Sequence, residues 1–105
     1  MTIELHHDDT GTRRSVHVGD LTTVRLPESP TTGYRWQPDF DVAALRLVDD
    51  RSEGASSARG AGGDRVLVFE AVRPGPAKLR LEKKRSWESG DPIEEFSVEL
   101  DVQSD

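Results

Sequence analysis

The residues with the clearest chemical potential come early in the chain. His6 and His7 are followed by Asp8 and Asp9, and a third histidine sits at His17. A His-His-Asp-Asp run holds the donor types of a metal site, or the base of a nucleophile–base pair. Its spacing argues against both. Adjacent residues of a strand point to opposite faces, so His6 and His7 cannot easily share one ion, and they read as a strand end. Serines and aspartates are plentiful, but no nucleophile elbow fixes a serine beside a histidine. The absence of cysteine removes thiolate nucleophiles, disulfides and Cys-based zinc sites. The acidic pairs Asp49-Asp50 and Glu94-Glu95 fall at strand or loop edges and read as solvated surface. The expectation is a chain with no catalytic residue, no metal and no cofactor.

Recognition is written more clearly than reaction. In Ser29-Pro30-Thr31-Thr32-Gly33, Pro30 fixes φ, two hydroxyls follow, and Gly33 is able to take a positive φ. Two aromatics, Tyr34 and Trp36, come directly after, with Arg35 between them. Arg59-Gly60-Ala61-Gly62-Gly63-Asp64 is nearly free of side chains, so its backbone can approach another chain closely. Arg85-Ser86-Trp87 sets a cation and a Trp near a loop tip, and these are residue types enriched in binding hot spots.

The elements that must carry these loops are strands. Ile3 and Leu5 alternate with polar residues, as do Val16 and Val18, Leu79 and Leu81, and Phe96, Val98, Leu100 and Val102. Leu21 to Leu26 is rich in β-branched residues and stops at Pro27. Short strands are expected over Tyr34 to Gln37 and Leu45 to Val48, and the most apolar one over Arg65 to Val72. Asp49 to Asp64 lacks periodicity and reads as one long loop. Asp41 to Leu45 has room for a single helical turn. Seven or eight strands, most with one wet face, predict two packed sheets, an all-β immunoglobulin-like sandwich, with a small closed barrel as the alternative. Trp36 would then pack in the centre against aliphatics.

Composition bounds the partners. The 105 residues are expected to form a single domain, 1–105. The net charge of −6 argues against nucleic acid, which usually demands a basic footprint. Lys83-Lys84-Arg85 reads as a solvated strand edge. No apolar run is long enough for a membrane span, and a monomer is the default. The first residues lack a secretion signal, so a cytoplasmic chain is expected, or a secreted or periplasmic one if a signal has been removed.

In an immunoglobulin-like strand order the three unusual loops fall after the second, fourth and sixth main strands, which places them at one end. There the sequence resembles the chagasin-like inhibitors of papain-family cysteine peptidases. That family carries Asn-Pro-Thr-Thr-Gly-Tyr/Phe-x-Trp, Gly-x-Gly-Gly and Arg-Pro-Trp segments in this order. Here they read Ser29 to Trp36, Gly60 to Gly63, and Arg85 to Trp87. Phe69-Glu70-Ala71, Pro74-Gly75 and Phe96 also fit the framework, and the resemblance spans about Val16 to Val102. Ser29 stands where Asn is usual, and Ser86 where Pro is usual.

The resemblance implies a reversible inhibitor that inserts three loops into a peptidase cleft. Ser29, Pro30, Thr31, Thr32, Gly33 and Tyr34 would form the central wedge, with Thr31 and Thr32 nearest the nucleophile. Arg59, Gly60, Ala61, Gly62 and Gly63 would make backbone hydrogen bonds along the substrate groove. Trp87 would pack on an aromatic surface beyond it, with Ser86 beside it and Arg85 adding a polar or cation–π contact. Ser86 in place of Pro should cost ~0.4–1 kcal/mol of pre-organisation. An adhesion sandwich that uses the same loops for another ligand is the alternative.

Overall fold

The computed structural model describes residues 1–28, 33–53, 63–85 and 90–104. Within them lie eight strands: β1 (Thr2–His6), β2 (Arg13–His17), β3 (Leu21–Glu28), β4 (Tyr34–Phe40), β5 (Leu45–Glu53), β6 (Gly63–Ala71), β7 (Gly75–Arg85) and β8 (Glu94–Gln103). They form two four-stranded sheets, β1-β3-β6-β5 and β2-β8-β7-β4, the expected sandwich. Two edge pairings, β1 with β3 and β2 with β8, are parallel; the rest are antiparallel. A 3-10 turn at His7–Asp9 lies between β1 in one sheet and β2 in the other.

The period-2 pattern becomes the core. Val24 and Leu26 of β3, Leu67 and Phe69 of β6, Leu79 and Leu81 of β7, and Phe96, Val98 and Leu100 of β8 are all buried. Trp36 is 1% exposed and belongs to this cluster, which it enters from the edge strand β4. Phe40 closes it edge-on against Phe69, with ring centroids 5.0 Å apart. Asp41 begins the expected single turn, accepting N–H bonds from Ala44 and Leu45.

Several strands run further than apolar alternation reveals. β4 continues through Pro38, which is tolerable because β4 is an edge strand. The segment Asp49 to Asp64 is not one loop. β5 extends to Glu53, and β6 already starts at Gly63. Charge pairs stand here in place of apolar contacts. Arg51 Nε meets Glu53 at 2.9 Å, Arg25 meets Glu53 at 2.7 Å, and Arg65 grips Asp50. A register shift between Leu47 and Asp49 changes which residues face inward. Val66, on the opposite face from Leu67, is also fully buried, between Arg25 and Arg51 in the ladder. Long arginine stems are able to cover such a position while their heads stay wet.

Candidate functional site

Strand register decides where the three loops emerge. In the first sheet Glu28, the last residue of β3, pairs with Gly63, and Glu53, the last of β5, pairs with Asp64. In the second, Tyr34 opens β4 opposite Arg85 at the end of β7, and Lys83 faces Glu94 at the start of β8. The two sets of strand ends belong to the same end of the sandwich. The Glu28 carboxylate accepts the Trp36 backbone N–H at 2.7 Å, and Trp36 Nε1–H donates to the Pro27 carbonyl at 2.8 Å. One rim therefore carries all three loop stems.

Four of the sequence-derived site residues are placed by this geometry. Gly33 has φ 80°, the left-handed conformation that favours glycine, and it turns the chain into β4. Tyr34 is half-buried, with the Arg85 guanidinium carbon 4.4 Å from its ring centroid. Arg85 thus makes its cation–π contact within the chain, tying the β4 stem to the β7 stem. Gly63 and its neighbour Asp64 are the first two residues of β6 rather than part of a loop. Ser29, Pro30, Thr31, Thr32, Arg59, Gly60, Ala61, Gly62, Ser86 and Trp87 lie outside the described residues.

The basic cluster is not a solvated edge. Lys83 is 16% exposed; its ammonium sits 5.6 Å from the Trp36 ring centroid and 3.6 Å from a Glu94 oxygen. His7 approaches the same Trp36 ring edge-on, with centroids 6.5 Å apart, and its Nε2 contacts Glu94. Trp36 therefore meets polar neighbours as well as aliphatics. His6 turns instead to Glu4, at 3.0 Å, so the adjacent histidines have separate partners. Among the described residues no three His, Asp or Glu side chains are grouped to hold a metal ion.

The features that sequence reading missed are ionic and buried. Glu28 accepts Arg35 Nε at 3.1 Å and Arg65 Nη1 at 3.0 Å, besides the Trp36 N–H. Arg65 also forks onto Asp50, with Nη2 at 2.9 Å. Its hydrogen bond holds the Asp50 carboxyl below the ordinary value, against the opposing push of burial. The same bond raises Arg65, again opposed by burial. A signal was present: Glu28 continues the inward phase of Thr22, Val24 and Leu26, and a carboxylate in that phase needs partners.

The sequence matches, over residues 15–102, the family described as chagasin family peptidase inhibitor I42. This chain belongs to the chagasin family. The family is one of inhibitors, not of enzymes. Amoebiasin-1 of Entamoeba histolytica is 24% identical to this chagasin-family chain over 102 residues, covering 96% of the chain and all of that protein. The crystal structure of EhICP2, a cysteine protease inhibitor from the same organism, superposes with a TM-score of 0.90 at 20% identity. It covers 97% of this chain and 96% of its own. PbICP-C, solved in complex with falcipain-2, reaches a TM-score of 0.66 at 14% identity, over 97% of this chain and 98% of its own. At these identities the structural likenesses establish the fold of the chagasin-family sandwich.

Proposed function

We propose that this chain is a reversible inhibitor of papain-like cysteine peptidases, and that it blocks the active-site cleft with three loops at one rim. The carrying observation is the register that brings the stems of residues 29–33, 54–62 and 86–93 to one end, in a chain of an inhibitor family. A relative in fold is held in complex with falcipain-2, which supports a peptidase of that kind as partner. In this reading Pro30 to Gly33 enter the cleft near the nucleophile, Gly60 to Gly62 offer backbone hydrogen bonds, and Trp87 anchors the far side. A stiff Pro-Thr-Thr-Gly segment presents no scissile bond in attack geometry, so the inhibitor is expected to leave uncut.

The test is titration of active papain with the purified chain, followed by residual activity and gel analysis of the inhibitor. Saturable loss of activity with the chain intact supports the reading. Steady digestion of the chain, or full activity across several such peptidases, sinks it. Trp87→Ala is expected to weaken inhibition by ~2 kcal/mol or more, on the hot-spot scale. An unchanged inhibition constant would remove the third loop from the mechanism.

A further inference from the structure

A carboxylate is sealed between the sheets at the loop-bearing rim. Glu28 is the last residue of β3 before residues 29–33, and its side chain is 1% exposed. Its two oxygens take three donors. Oε2 accepts the Trp36 N–H at 2.7 Å and Arg65 Nη1 at 3.0 Å, and Oε1 accepts Arg35 Nε at 3.1 Å. Trp36 and Arg35 belong to β4, on the far side of the first loop; Arg65 belongs to β6, on the far side of the second. Arg65 then reaches across to Asp50 of β5, which leads into that second loop. One chain of charge-assisted bonds thus runs through all four stems of two loops.

Burial of these charges is a poor way to gain stability, because a packed apolar cluster of the same volume often does as well or better. What ions and forks supply is fixed relative geometry. We propose that Glu28 is a positioning residue of the inhibitory rim, setting the β3–β4 and β5–β6 loops at one mutual spacing through Glu28–Arg65–Asp50. This rests on the proposed function and deepens it. Glu28 is too deeply buried to touch the peptidase and acts through the loops it ties. The stems of both loops are then held at that spacing before binding, so bringing them together costs nothing on binding.

The test uses the full chain and papain. Glu28→Gln keeps the side-chain shape and an acceptor for the Trp36 N–H, while removing the charge that faces Arg35 and Arg65. Its dissociation from papain is expected to be about tenfold faster or more, with association changed only about threefold, since interface tuning falls mainly on dissociation. Arg65→Lys keeps the charge and loses the fork; it is expected to show a smaller loss in the same direction, and it carries the test if Glu28→Gln does not fold. The double variant is expected to be no worse than Glu28→Gln alone, because the two residues act as one unit. Unchanged inhibition in folded variants with a lowered thermal midpoint would reduce the network to a structural role and overturn the proposal. Additive losses would overturn the coupling. If the unaltered chain inhibits neither papain nor several related peptidases, the proposed function falls and amide hydrogen exchange decides the positioning. Faster exchange in Glu28→Gln at both Trp36 and Glu53 upholds the tie between loops; faster exchange confined to β3 and β4 overturns it.

Discussion

The two ends of the sandwich are closed by different kinds of bond. At the end away from the rim, bonds between main-chain groups predominate, with carboxylates such as Asp20 accepting further N–H groups. Val18 N–H donates to Gln103 at 3.0 Å, Gly19 N–H to Ala71 at 2.8 Å, Ala71 N–H to Asp20 at 3.0 Å, and Val72 N–H to Ala44 at 2.8 Å. Its turns use glycines at positive φ, Gly19 at 94° and Gly75 at 122°. At the rim, side chains do the joining: Glu28 meets Arg35 from one sheet to the other, while Glu28 with Arg65, Arg65 with Asp50, Arg85 over Tyr34 and Lys83 with Glu94 tie neighbouring strands within a sheet, and His7 also reaches Glu94. Backbone bonds survive most substitutions, whereas an ion network depends on each member. The far end can therefore act as a sequence-tolerant base, while single changes at the rim are able to move whole loops.

The contrast breaks first if the rim's anchor proves dispensable. Trp36→Ala removes the largest fully buried side chain and its bond to the Pro27 carbonyl. A loss of ~3–5 kcal/mol in urea unfolding is expected, as for other buried aromatics. Arg65→Met tests the ions directly. It leaves the buried Glu28 without one of its charge partners and Asp50 without its fork, so a cost of ~3 kcal/mol is expected even though Met fills much of the space. A cost below that of an ordinary surface change would mean that the rim is held by packing and that the contrast is false.

How far this could be read in advance follows the same division. Strands such as Phe96 to Val102 were legible because apolar and polar residues alternate with period 2. The run Asp49 to Glu53 looked like loop because its partners are charges on β3 and β6, and alternation of charge carries no visible period. Lys83 looked solvated because neighbouring cations hid its inward lean onto Trp36. At the loop stems Gly33 was legible, because a positive φ is a local constraint, while Pro30 and Trp87 lie outside the described residues. The network beneath them was not, since Glu28, Asp50 and Arg65 are far apart in sequence and meet only through register.

At the far end, Gly75→Ala isolates backbone strain. A Cβ at Gly75 would meet nothing within 4 Å, so its only obstacle is φ 122°. A loss of ~1 kcal/mol is expected from that conformation alone. Inhibition of papain should not change, because β7 reaches the rim ten residues later, at Arg85. A weakened inhibitor would show that strain travels between the ends and that they are not independent.

The smallest effect separates the ends by acid. Asp50 at the rim is held below its ordinary value near 3.8, chiefly by its hydrogen bond from Arg65. Asp20 at the far end is also lowered, chiefly by the His17 backbone N–H, which its Oδ2 accepts at 2.9 Å. Both folded carboxyls bind protons less readily than the unfolded chain does. Each contribution is therefore present above the ordinary value and is lost as pH falls through the lowered one. Urea midpoints measured from about pH 6 down to about pH 2 should fall, and either Asp→Asn variant should flatten that limb. Asp50→Asn is expected to flatten it more, because its main partner is the largely buried Arg65 guanidinium, while the main partner of Asp20 is a neutral backbone N–H and its cation, the Met1 ammonium at 3.2 Å, is exposed and screened. If Asp20→Asn flattens it more, the electrostatic weight lies at the end that main-chain bonds close, and the division between the two ends would have to be redrawn.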